Sequence, residues 1–80
     1  MNRLGFLVLS ILSRNNALDR ISAMTVKEIA AAEDLGYRDN TIFKKIVLFE
    51  EMGYVGAGYK EGRARTFYIT DRGIELLKNA

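Results

Sequence analysis

The apolar residues change period at Gly53, and no other feature restricts the fold of this chain as much. Upstream they recur at helical spacing; downstream they alternate. Leu4, Leu7, Val8, Ile11 and Leu12 follow the i, i+3, i+4 rule, which sets a first helix from about Asn2 to Arg14. Phe6 and Leu9 fall off that stripe on a helical wheel. They read as a second apolar face that calls for another chain, because a helix apolar all round is buried all round. A polar, turn-rich stretch follows from Asn15, and Ser22–Ala23–Met24 reads as a short extended segment.

Thr25–Val26–Lys27–Glu28 has the form of a capping box, with Thr at the N-cap and Glu three residues on. It opens a second helix, Val26 to Asp34, which buries Val26, Ile29 and Ala30 and stops at Leu35–Gly36, with Gly36 suited to a left-handed C-cap. Tyr37–Arg38–Asp39–Asn40 is a tight connector; Tyr37 reads as a lid on the core and Asp39 as the N-cap of a third helix. That helix runs to about Met52, with Ile42, Ile46 and Phe49 inward and Asn40, Thr41, Lys44 and Leu48 away from the core. Beyond Gly53, Tyr54, Val55, Ala57 and Tyr59 alternate, and so do Arg65, Phe67 and Ile69. Lys60–Glu61–Gly62–Arg63 is the turn between them, which makes a β-hairpin. Thr70 then caps a last short helix, Asp71 to about Asn79, with Ile74 and Leu77 inward.

Composition narrows the chemistry. The 80 residues contain no Cys and no His. That leaves no thiolate nucleophile, no imidazole base and no ordinary zinc or haem site. The expectation is a single domain over 1–80 that is not an enzyme and holds no metal or cofactor. The absence of Cys suits a reducing cytoplasm. The apolar run Leu4–Leu12 is broken by Gly5 and Ser10, lacks a small-residue cleavage site and is too short to span a bilayer. Half of the residues are apolar (49%), ample for a folded core.

The element order is helix, extended segment, helix, short turn, helix, hairpin, helix. Two helices joined by a short Gly-containing turn suggest helix-turn-helix, and a hairpin directly after the second makes a wing. The fold class is therefore α+β: a winged helix-turn-helix with a three-helix core, a β-hairpin wing and a short C-terminal helix. Asn40-Thr41-Ile42-Phe43, then Phe49-Glu50-Glu51-Met52-Gly53-Tyr54-Val55, then Arg63-Ala64-Arg65-Thr66-Phe67-Tyr68-Ile69-Thr70-Asp71-Arg72-Gly73 occur in that order. Together they resemble winged-helix transcriptional regulators of the PadR and MarR type. The first stretch is similar to their recognition-helix start, the second to their helix exit, and the third to their arginine-rich wing and the start of their final helix. The resemblance spans Leu4 to Leu77, without the long C-terminal dimerisation helix those regulators carry.

The resemblance implies a sequence-specific double-stranded DNA-binding protein acting on the nucleoid as a homodimer, with the third helix in the major groove. Side chains near the start of such a helix read bases. Asn40 suits adenine, Arg38 or Lys44 suits guanine, and Thr41 offers a hydroxyl and a methyl. With Lys45 on the helix edge and Lys60, Arg63 and Arg65 on the wing, these form the candidate DNA-binding set. Each residue also has a structural reading. Asn40 is also a capping residue type, Lys44 and Lys45 suit a solvated face beside Glu50 and Glu51, and Arg63 and Arg65 suit an exposed strand edge. The candidate dimer contacts are Phe6, Leu9 and Leu76. The rival function is a winged-helix module for protein–protein contact within a larger assembly, for which Phe43, Val47 and Leu48 would supply an apolar patch.

Overall fold

A computed structural model describes residues 2–80. The elements in chain order are α1 (Arg3–Arg14), β1 (Met24–Thr25), α2 (Val26–Ala32), α3 (Asp39–Glu51), β2 (Val55–Ala57), β3 (Thr66–Ile69) and α4 (Asp71–Lys78). This is the expected winged helix-turn-helix. Local signals act where they were legible. The Asn2 side chain accepts from the Gly5 amide at 2.9 Å and caps α1. Thr25 and Glu28 close a reciprocal capping box on α2, at 3.1 and 2.9 Å. The Thr70 hydroxyl accepts from the Gly73 amide at 3.1 Å and caps α4.

Two helix ends differ from the sequence expectation. α2 stops at Ala32 rather than Asp34, because Glu33 is extended and the Asp34 carboxylate accepts from the Gly36 amide at 3.0 Å. Such local side-chain bonds compete with the helix ladder. Gly36 has the expected positive φ of 73°, but within the connector and not as a C-cap. The N-cap of α3 is Arg38, which makes no side-chain capping bond. Asp39 is instead the first helical residue, where its charge still favours the helix dipole.

The sheet is three-stranded and antiparallel, in the order β1-β3-β2. Its registers pair Met24 with Phe67, Thr25 with Thr66, Val55 with Ile69 and Gly56 with Tyr68. Phe67 and Ile69 enter the core from the central strand, which packs against α1 and α4, with Phe67 also meeting Phe43 of α3. A fully buried side chain of this size contributes about 1.5–3 kcal/mol.

α1 forms the middle of the molecule and contacts α2, α3, α4 and β3. This overturns one expectation: Leu9 does not face outward. It is 0% exposed, buried with Leu4, Val8, Ile11 and Leu12. At 100° per residue the buried arc of α1 spans ~160°, wider than the single stripe that i, i+3 spacing detects. Phe6 lies beyond that arc and is 43% exposed.

The base of the wing is clamped. Val55 pairs with Ile69, the Thr70 amide donates to the Tyr54 carbonyl at 3.1 Å, and the Thr70 hydroxyl donates to the Gly53 carbonyl at 2.6 Å. Gly73 packs so closely on the Tyr54 carbonyl and the Ile69 side chain that a β-carbon there has no room. At the tip, Glu61 and Ala64 exchange two backbone hydrogen bonds of 3.0 Å around Gly62–Arg63. Gly62 has φ 62° and is the only positive-φ residue of the turn, which fits a type II′ turn with Gly first. Tyr59 lies outside the ladder: its amide turns away to the Arg20 carbonyl (3.2 Å), and its carbonyl accepts from the Thr66 hydroxyl (2.6 Å).

Candidate nucleic-acid interface

α3 presents three different flanks. Ile42, Ile46 and Phe49 are buried and fix its roll against the core. Phe43, Val47 and Glu50 form a half-buried flank toward the wing, with Phe43 packing edge-to-face on Phe67 at a centroid distance of 6.2 Å. Asn40, Thr41 and Lys44 are exposed near the helix start, beside the exposed Arg38. The core therefore aims these side chains outward with no contribution from the groups themselves. Lys45 is half-buried, its Nζ 5.6 Å from the centre of the Phe49 ring. That places it on the helix edge, where its stem covers apolar surface.

The wing cations divide into two kinds. Lys60 and Arg63 are exposed at the tip. Arg65 is half-buried: one guanidinium nitrogen lies 2.6 Å from the Glu50 carboxylate, and the guanidinium sits 4.9 Å over the Phe67 ring. Among the described residues only one other ion pair forms, Arg14 with Glu33 at 2.8 Å. Arg38, Lys44, Lys60 and Arg63 are in neither pair.

The acidic residues at the start and exit of α2 each have a local partner. Glu28 is held in its capping box, Glu33 by Arg14, and Asp34 by the Gly36 amide. Tyr37 is exposed rather than a lid on the core, and it shares a groove of about 320 Å³ with Thr41, Lys44 and Leu48. Lys27 was not singled out by the sequence reading. It lines a depression of about 360 Å³ with Thr25, Phe43, Arg63 and Arg65. Its signal lay in its position at the start of the second helix, next to a cap; only topology brings that end to the wing.

Of the apolar residues that supported a protein-contact reading, Phe43 and Val47 are largely covered. Leu48 is 44% exposed and lines a groove of about 270 Å³ with Met52, Tyr54 and Leu76. Leu76 is half-buried. No helix is long and apolar enough to cross a membrane, and the described residues contain no cluster of metal-ligating side chains.

No family model matches the chain. It is 32% identical over 79 residues to the DNA-binding protein TubR of Clostridium botulinum C phage, covering 99% of this chain and 95% of that protein. The chain belongs to the TubR family. The solution structure of the DNA-binding TubR fragment from Clostridium botulinum superposes with a TM-score of 0.75 at 30% identity, over 99% and 95% of the two chains. TubR from Bacillus megaterium pBM400 superposes at 0.81 with 19% identity, over 98% and 83%. The Staphylococcus aureus MepR–DNA complex superposes at 0.77 with 17% identity, over 99% of this chain and 60% of that one. The TubR fold is thus also the fold of MepR, a transcription regulator. Its TubR relative in the Clostridium botulinum C phage is a DNA-binding protein.

Proposed function

We propose that this protein binds double-stranded DNA sequence-specifically as a regulator, with α3 in the major groove and the wing tip on the backbone or in the minor groove. The observation that carries this reading is the row Asn40, Thr41 and Lys44, exposed at the start of a helix whose roll is fixed by Ile42, Ile46 and Phe49. Arg38 extends the row, and Lys60 and Arg63 add charge at the wing tip. Asn40 has the geometry to pair with adenine and Lys44 to meet guanine, while the tip cations suit phosphates. Lys45, on the helix edge, suits a phosphate beside the groove. Arg65 enters through Glu50. Membership of a family of DNA-binding proteins supports the same assignment, and in this reading the protein acts in the cytoplasm, on the nucleoid.

Its working form in this reading is a homodimer bound to two half-sites about one helical turn apart. Phe6 on α1 and Leu76 on α4 remain the contact candidates; Leu9 is withdrawn, being consumed by the monomer's core. The exposed Leu48 and Met52, in one groove with Leu76, extend the apolar surface and give self-association more support than a separate protein-docking role. Binding-site selection from random duplexes, followed by a salt titration, tests the assignment. Enriched inverted repeats are expected. Recovery of no preferred sequence, with weak and salt-labile binding, would overturn it.

A further inference from the structure

We propose that Arg65 is a positioning residue: its ion pair with Glu50 fixes the wing against α3 and so sets where Lys60 and Arg63 stand relative to Asn40 and Lys44. The consequence for DNA rests on the reading above; the mechanical claim does not. Arg65 sits between the tip turn and the first residue of β3, on the same strand face as Phe67 and Ile69 by the period of two. It therefore points at α3 and not outward. Glu50 follows Phe43 and Val47 on one flank of that helix, at i, i+4 and i+7. The flank is a docking strip whose far end is charged: Phe43 meets Phe67, and Glu50 meets Arg65.

The outer half of the hairpin needs such an anchor. β2 ends at Ala57 and the tip turn begins at Glu61, so residues 58–60 lie beyond the strand. They are tied to β3 by the Gly58 amide on the Thr66 carbonyl and by the Thr66 hydroxyl on the Tyr59 carbonyl, and on the loop side by the Tyr59 amide on the Arg20 carbonyl. On the helix side the anchor is Arg65 to Glu50, with the guanidinium stacked on Phe67. An arginine reaching for a phosphate would also abandon a carboxylate beside a polyanion, where like charges repel. The pair neutralises Glu50 while holding the tip in place.

Charge alone and positioning predict opposite signs for one substitution. Glu50→Met removes a negative charge near the DNA face. If Arg65 were a phosphate contact, that change would leave binding equal or tighter, and Arg65→Met would weaken it and lower the salt slope by about 0.9. If Arg65 positions the wing, Glu50→Met and Arg65→Met each weaken binding by roughly two- to fivefold, the scale of a partly exposed ion pair. The double variant is then no worse than either single one, and the exchange Glu50→Arg with Arg65→Glu recovers most of the loss. The experiment measures affinity for a random-sequence duplex of about 30 base pairs, close to three helical turns, alongside backbone ¹⁵N relaxation at Gly62 and Arg63. The tip amides should be as ordered as that of Tyr68 in the wild type and mobile in both single variants. Unchanged tip order in both would overturn the proposal, as would a Glu50→Met protein that binds as tightly as the wild type. A wild-type chain that ignores the duplex would sink the DNA reading alone, leaving relaxation to judge the anchor.

Discussion

The start of α3 and the wing carry similar charge, yet the molecule holds them by different physics. Asn40, Thr41 and Lys44 stand on a 13-residue helix whose opposite face is sealed into the core by Ile42, Ile46 and Phe49. Their directions follow from helix geometry, so the presenting groups need no bonds of their own. Arg63 stands on a four-residue turn beyond the last strand pair and Lys60 just before it, and their placement depends on a few local anchors. A rigid platform suits base edges, where sub-ångström registry decides the outcome; a tethered tip suits phosphates, which repeat along the backbone.

The largest expected effect breaks this comparison by removing the platform. Ile42→Ala opens a cavity under the start of α3 and should cost about 2–5 kcal/mol, seen as a lower midpoint in thermal or urea unfolding. In the folded fraction, specific and non-specific binding should both decline; preserved discrimination would show that α3 does not rely on that packing. Asn40→Ala acts on the platform's reading alone. It should relax preference at one base per half-site at a cost of about 1–3 kcal/mol, measured by repeating the selection on the variant. A selected motif identical to the wild type would move base reading elsewhere.

Gly62→Ala disturbs only the tip. The site is open, so the cost comes from the positive φ, about 1–2 kcal/mol locally. Affinity should fall equally on selected and random duplexes while the core's melting point holds. Arg63→Ala should have a smaller effect, lowering the slope of log affinity against log salt by about 0.9 and leaving the selected motif intact.

The smallest effect is at the turn that holds Tyr59, beside the outer half of the wing. Asp19 accepts from the Ser22 amide and hydroxyl at 2.9 and 2.8 Å and from the Ile21 amide at 3.1 Å, which hold its pKa below the ordinary 3.8. A depressed folded value means that its contribution is complete above the unfolded value and is lost as pH falls through the folded one. Below the ordinary carboxylate range, exchange protection of the Tyr59 amide, bonded to Arg20 in that turn, should drop before that of α3. Simultaneous loss would show that the turn does not support the wing.

Much of this was legible in the sequence because its causes are local. The capping box at Thr25, the cap at Thr70, the turn at Gly62 and the helix-to-strand switch each depend on residues within a few positions. Leu9 was misread because a wheel finds one stripe, whereas four neighbouring elements decide how wide an arc of α1 is covered. Asp39 was misplaced by one residue because its type suits both the cap and the first turn. Arg65 could not be separated from Arg63 by composition: its partner Glu50 lies 15 residues away on another element. The exposed row on α3 was legible in its residue types; the depression that brings Lys27 to the wing and the groove at Leu48 were not, since both arise from topology.

The turn at the tip of the wing has a consequence for how such a protein diversifies. The hairpin is tied to the body along its strands, but its tip is closed by the two backbone bonds between Glu61 and Ala64, and the space around Gly62 is open. What lies between those two residues is, to the rest of the molecule, a closed appendage. Lengthening it adds only loop entropy, about 0.6 kcal/mol for each doubling, and leaves the helices where they were. Under the proposed function, the length and charge of the tip are thus free to drift with the DNA it meets, while α3 inherits an unchanged frame.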